Sequence, residues 1–286
     1  RRLVTSAWNY LRDGFLEDAK EAIDKASEHP ETKDNFRTFR YKGQIYHELA
    51  ISDNPKYSKL CDESCLDIAF ESYLEALKRN FVEAENQDID FETELGLMKF
   101  FKLIQNQDTK YEDTGLLMDV LTVRFPALSN AFINRGVTAF QETQDFDAAL
   151  SDFEQAMLIS TLSFKIDTQL IYFSSLAAFR AKDYEKAIEY NKALVEMEYG
   201  ETPEDQIAIY QTLAKSYELN ENHEKMLETL QKGIESLPDH SYPLIIETFN
   251  YYVNTNQTDE AYKYISMAID KNPEDPQFYV IKGALL

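Results

Sequence analysis

Apolar and small residues recur along this chain at helical spacing, and they come in pairs of segments. The clearest pair sets Tyr210, Leu213, Ala214 and Tyr217 in a first segment. Met226, Leu230 and Gly233 follow in a second, closed by Pro238. The next pair repeats the frame with Ile245, Thr248, Phe249 and Tyr252, then Ala261, Ile265 and Ala268, then Pro273. Residues three and four apart share one face of an α-helix, so each segment predicts an amphipathic helix. The second-segment frame can be anchored seven times, on Ala19, Ala69, Thr114, Ala149, Ala187, Met226 and Ala261. Successive anchors stand between 35 residues apart (Thr114 to Ala149) and 50 (Ala19 to Ala69). Small anchors let two helices approach closely, and a large residue one turn on fills the adjacent gap. Met226 departs from that rule and is accommodated by its flexibility. The prolines end second helices, because proline cannot continue one.

The first pair carries Ala7 and Tyr10, a turn at Asp13-Gly14-Phe15, then Ala19, Ile23 and Ala26, closed by Pro30. The second has Gly43 and Tyr46, a long linker marked by Asn54-Pro55, then Ala69, Tyr73 and Ala76. The third is the weakest, with Gly96, then Tyr111, Thr114, Met118, Leu121 and Pro126, after a polar loop from Glu83 to Asp90. From Ala127 the pattern tightens. A fourth pair has Gly136, Asp145-Phe146, Ala149, Phe153 and Ala156, and a fifth has Asp183-Tyr184-Glu185-Lys186-Ala187. Tyr190 and Ala193 complete the fifth, one residue short of the frame. Tyr279 and Gly283 open an eighth pair that stops mid-helix.

This frame resembles the tetratricopeptide (TPR) helix–turn–helix repeat, whose nominal period is about 34 residues. The resemblance implies an all-α, right-handed α-solenoid: about seven repeats plus the first helix of an eighth. It would run as one superhelix over 1–286, with divergent repeats in 1–126 and regular ones in 127–286. Two early segments, Ala7-Trp8-Asn9-Tyr10-Leu11 and Thr38-Phe39-Arg40-Tyr41-Lys42-Gly43, are similar to TPR proteins exported into bacterial envelopes. That second likeness implies a periplasmic or other envelope setting; the residues themselves leave a cytoplasmic one open.

Composition fits the helical reading. Only 8 Gly and 8 Pro occur in 286 residues, which suits helices joined by short turns. The 18 Tyr and 18 Phe supply bulky rings to insert between helices. Lys and Arg total 29 against 51 Asp and Glu, a net charge of −22. Such a chain is repelled by phosphate backbones and anionic lipid heads, so nucleic-acid binding is set aside. No uninterrupted run of about 18 apolar residues exists, so no membrane insertion is expected. The chain opens Arg1-Arg2-Leu3 rather than with Met, as a mature or trimmed form would.

Candidate chemistry is sparse. Cys61 and Cys65 fall four apart in a predicted helix, where a disulfide is strained, so reduced packing residues are expected. His29 precedes Pro30 at a helix end, and His223 and His240 fall in predicted turns. His47 with the two cysteines would still need a fourth ligand to hold zinc. Asn86-x-Asp88-x-Asp90-x-Glu92 has calcium-loop character but carries Phe91 where the loop needs glycine and Leu97 where it needs glutamate. No phosphate-cradling glycine loop or serine-nucleophile elbow appears. An enzyme is not expected, and no catalytic residue, metal or cofactor is assigned.

A binding role remains. Some TPR proteins hold a partner's C-terminal carboxylate with Lys and Asn one turn apart. The equivalent pairs here are Arg40/Gln44, Ile133/Val137, Tyr172/Leu176, Gln211/Lys215 and Ile246/Asn250, and none reproduces that clamp. By the resemblance, first helices line the concave side of the superhelix. Ile133, Val137 and Phe140 then share one stripe, and Tyr172, Leu176 and Phe179 another. Either these side chains are core, rotated inward by packing, or they line a groove for a peptide. Arg37, Arg40, Gln44 and His47 form the one locally basic patch. The expected function is a protein–protein interaction scaffold. Its rivals are a docking segment of a larger envelope protein, and a small-ligand or glycan binder. Weak self-association through the C-terminal helix is also expected, because Phe278, Ile281 and Leu285 lack a second helix to cover them.

Overall fold

A computed structural model of the chain describes residues 1–57, 59–62 and 64–285. Leu286, the last residue of the expected final helix, lies outside them. The described residues form helices and connecting turns, with no strand beyond an isolated bridge between Phe81 and Tyr111. In chain order the helices are α1 (Arg2–Arg12), α2 (Leu16–Glu28), α3 (Phe36–Ala50), α4 (Cys65–Arg79) and α5 (Glu94–Gln105). Then come α6 (Thr114–Asp119), α7 (Phe125–Thr138), α8 (Phe146–Leu162), α9 (Thr168–Ala181) and α10 (Tyr184–Glu196). The last are α11 (Pro203–Leu219), α12 (His223–Ser236), α13 (Tyr242–Asn254), α14 (Thr258–Lys271) and α15 (Pro276–Ala284). They are the helix pairs of an all-α solenoid, packed on their sequence neighbours from α1 to α4 and from α9 to α15. Two compact units divide them: 1–135 with 155–166, and 136–154 with 167–286.

In the first unit α1 packs on α2, α2 on α3 and α3 on α4, with α1 also touching α3. The small-anchor rule operates here at atomic range. Ala7, Ala19 and Ala69 are fully buried. Gly43 of α3 takes the ring of Tyr73 from α4, so close that an added Cβ would stand 2.9 Å from Cδ1. Phe125 then packs against Phe70 and Tyr73, at ring separations of 6.0 and 6.2 Å. A satellite cluster of Phe81, Phe91 and Phe100 fills the space beneath the polar loop.

In the second unit α9 to α15 pack in succession, and α11 also touches α13. Gly136 faces Phe153, and Gly233 faces Tyr210 and Leu244. The anchors Ala149, Ala187, Met226 and Ala261 are all buried. Three of the turns within pairs share one geometry. Lys182, Glu221 and Asn256 each adopt positive φ. The next residue's N–H then donates five residues back, Asp183 to Ala178, Asn222 to Tyr217 and Gln257 to Tyr252. That contact satisfies a helix-end carbonyl and starts the return helix. Gly14 does the same in the first unit, with Phe15 donating to Tyr10.

Four expectations are corrected. Thr114 is not a packing anchor: it is exposed as the first residue of α6, behind the N-cap Asp113, and Leu116 and Val120 are the buried residues there. Pro126 does not end a helix. A π-turn at Val120–Arg124, in which the Phe125 N–H donates to the Val120 carbonyl, precedes it and carries α6 into α7. The wider turn accommodates a residue with no N–H to give. Gly96 admits the Asp90 carbonyl rather than a neighbouring helix: a Cβ there would come within 1.7 Å of that oxygen. Finally, Cys61 precedes α4 instead of lying within it, and the two cysteines are joined as a disulfide with a Cα separation of 5.7 Å.

The continuous helix Thr114–Thr143 is long and apolar enough, by length and composition alone, to cross a membrane. In the first unit its apolar face is packed in protein, with Leu116, Val120, Phe125, Leu128 and Phe132 all fully buried. Its Asp119 is paired with Arg40 of α3 at 2.9 Å.

Candidate functional site

The stripe residues are neither core nor fully exposed. In the second unit Val137, Phe140, Tyr172, Leu176 and Phe179 are each partly exposed, and in the first unit Ile133 is too. Tyr172, Leu176 and Phe179 share one face of α9 by their four-then-three spacing. Tyr172 stacks on Tyr199 at 5.6 Å, which fixes the ring without burying it. Burial and the neighbouring Tyr172 raise the Tyr199 hydroxyl above its ordinary pKa. Phe179 meets Tyr184 of α10 at 6.1 Å, and Phe140 meets Phe146 edge-on at 5.2 Å. The Arg180 guanidinium lies over Phe146. Sequence reasoning missed Tyr199, because it falls in the α10–α11 connection, outside the helical frame.

The expected basic patch is a different object. Arg37 is exposed, over the ring of Phe36. Arg40 is committed: its Nη2 donates to Asp119 at 2.9 Å, and its Nη1 lies 3.6 Å from Asp113. Arg124 Nε lies 3.3 Å from the same Asp119, out of line for a hydrogen bond. Gln44 is buried. His47 is buried too, and Nε2 has no hydrogen-bond partner. Burial first, and the Arg124 charge second, push its pKa down to about 4, so it is neutral at pH 7. Tyr73 also has a buried, unpartnered hydroxyl, pushed up chiefly by burial. The patch is thus a balanced ion network beside polar atoms that lack partners, not a basic surface.

Neither metal motif survives as a ligand set. Cys61 and Cys65 bond each other, and the polar loop already holds a cation: Lys99 Nζ donates to the carbonyls of Glu85 and Asp88. Among the described residues no group of His, Cys, Asp and Glu is arranged to hold a metal. His240 lies in the turn before α13, whereas His223 is the first residue of α12 and packs on Tyr251 at 5.7 Å.

No protein-family model matches the chain, and no curated protein matches it. Among solved structures the chain is similar to the TPR domain of P58(IPK), at 14% identity and a TM-score of 0.34. The match covers 99% of this chain and 76% of that one.

Proposed function

We propose that this chain is a non-enzymatic interaction scaffold that takes a peptide or protein segment against first-helix side chains of the second unit. The observation that carries this reading is the partly exposed set Val137, Phe140, Tyr172, Leu176 and Phe179. Large apolar side chains left open to water in a group are characteristic of contact surfaces. Rings held by stacking, as Tyr172 is by Tyr199, lose little further freedom on binding. A partner segment that presents apolar side chains fits this chemistry; nucleic acid does not, given a net charge of −22. We also propose an envelope setting in a bacterium. The Cys61–Cys65 disulfide supports it, since such bonds persist in oxidising compartments. A second reading, weak self-association through α15, draws on Ile281, which is exposed with Tyr279 and Val280; Phe278 and Leu285, expected to lie uncovered, instead pack partly buried against the cluster of Ile245, Phe249 and Ile265.

The test places a photo-crosslinking residue at Leu176 and, separately, at the exposed Glu185 of α10. A discrete adduct from Leu176 alone, weakened by Tyr172→Ala, is the expected result. A Tyr172 hot spot would be worth about 2 kcal/mol or more. Equal labelling from both positions would remove the basis for this site.

A further inference from the structure

The first unit contains an open cavity of about 470 Å³ whose walls carry both signs of charge. Gln44 and Glu48 line it from α3, Arg124 from the helix Thr114–Thr143, and Trp8, Arg12 and Leu16 from the first helix pair. We propose that this cavity binds a small zwitterion, an α-amino acid with an apolar side chain. Its carboxylate would meet Arg124 and Gln44, its ammonium Glu48, and its side chain the wall of Trp8 and Leu16. This site is independent of the peptide-binding reading above.

Three observations point to a ligand rather than to packing. Gln44 is 7% exposed, faces the cavity, and its amide makes no hydrogen bond within the described residues. Its amide is not sealed from solvent, so its partner comes from the cavity side, water in the free protein. Arg124 lines the cavity and is held in place by the ion pair of its Nε with Asp119 at 3.3 Å. Glu48, one turn beyond Gln44 and so on the same face, is an exposed carboxylate with no ion pair among the described residues.

The charges decide the ligand class. Arg12 is paired with Asp13 at 3.0 Å. Arg40 and Arg124 are balanced by Asp113 and Asp119, and His47 is neutral. One unbalanced charge remains, on Glu48. A ligand carrying only a carboxylate would satisfy the Arg124 and Gln44 donors but bring its charge beside Glu48. The field of a chain with net charge −22 would repel it further. A ligand carrying only an ammonium would pair with Glu48 and leave the donors without an acceptor. A dipolar ligand answers both ends and adds no net charge. The Trp8 and Leu16 wall then favours an apolar side chain over a polar one.

Trp8 is the sole tryptophan, so its fluorescence reports on this cavity alone. The experiment titrates the full chain with L-leucine, N-acetyl-L-leucine and L-leucinamide. A saturable change with L-leucine is expected, with affinity about tenfold or more above that of either single-charge analogue. Glu48→Gln alters an exposed side chain and leaves the core intact. It should abolish the preference for L-leucine over N-acetyl-L-leucine. The proposal is overturned by no saturable response at millimolar L-leucine, by equal affinity for all three probes, or by an unchanged preference in Glu48→Gln.

Discussion

Gly43→Ala tests whether small–large complementarity builds this fold. The added Cβ would stand 2.9 Å from Cδ1 and Cε1 of Tyr73 and 3.1 Å from Cγ. Carbon atoms in comfortable contact lie about 3.5–4.0 Å apart, so the ring must withdraw by roughly 0.5–1 Å. Because Cγ is met as well as the ring edge, a tilt is not enough and the side chain must translate. Tyr73 is fully buried and packs edge-on against Phe125 at 6.2 Å, so the displacement passes into that contact. Overpacking of this kind costs about 1–3 kcal/mol. Replacing a mid-helix glycine by alanine returns about 1 kcal/mol through helix propensity. With three ring atoms in collision the steric effect falls in the upper half of its range, giving a net loss of about 1–2 kcal/mol. Urea unfolding followed by far-UV circular dichroism would measure it. Gly283→Ala is the control: nothing lies within 4 Å of its Cβ position, so helix propensity acts alone and the change should be neutral to stabilising, by up to about 1 kcal/mol. A Gly43→Ala protein as stable as the parent would refute the idea that this glycine admits the ring.

Three further outcomes are expected. Gln257 is the N-cap of α14 without a capping bond, whereas Asp145, Asp183 and Asn222 accept one from the N–H three residues on; Gln257→Asp should therefore stabilise by about 0.5–1 kcal/mol in urea melts. Lys182 is exposed at φ 65°, a conformation that disfavours a side chain, so Lys182→Gly should stabilise by about 1 kcal/mol and Lys182→Ala should not. His47 has its folded pKa depressed from 6.5 to about 4, so the stability that comes from burying it neutral is present above pH 6.5 and lost as pH falls towards 4. That loss is on the order of 3 kcal/mol, and His47→Leu should flatten this part of the pH–stability curve; parallel curves for the two proteins would show that His47 does not titrate on unfolding.

The repeated helix pairs were legible because their cause is local and periodic. A small anchor such as Ala149 or Ala187, with a large apolar residue one turn later, can be read without knowing the neighbour it meets. Failures came where a non-local partner decided the outcome. Thr114 fitted the anchor frame, but the Asp113 cap made it a helix start. Pro126 reads as a stop, and only the π-turn before it makes it tolerable. Gly96 is small for a carbonyl in a loop, not for a helix. The basic patch was right in residue type and wrong in character, because the acids that neutralise Arg40 stand more than 70 positions away at Asp113 and Asp119. Nothing in the local pattern of α3 announces them. Trp8, Glu48 and Arg124 were passed over for the same reason: they meet only in the folded first unit.

The first helices of the second unit differ at the positions of its partly exposed apolar residues, which supports the proposed reading that packing alone does not require them there. At the helical positions where α9 carries Tyr172 and Leu176, α11 carries Gln211 and Lys215, and α13 carries Ile246 and Asn250. Lys215 and Asn250 are exposed, yet their helices keep full cores: Leu213 and Ala214 are buried in α11, Ile245 and Thr248 in α13. The fold therefore tolerates polar side chains at these sites without loss of its buried anchors. On α9 the anchors Ser174, Ala177 and Ala178 are buried independently of Tyr172 and Leu176. An apolar side chain kept partly in water forgoes much of the roughly 1.5–3 kcal/mol that full burial would bring. A polar residue there would leave less of that stabilisation unrealised in the free protein. On the proposed reading, the choice of Tyr172, Leu176 and Phe179 is favourable because a partner surface would cover them, and their burial would then add to association rather than to folding.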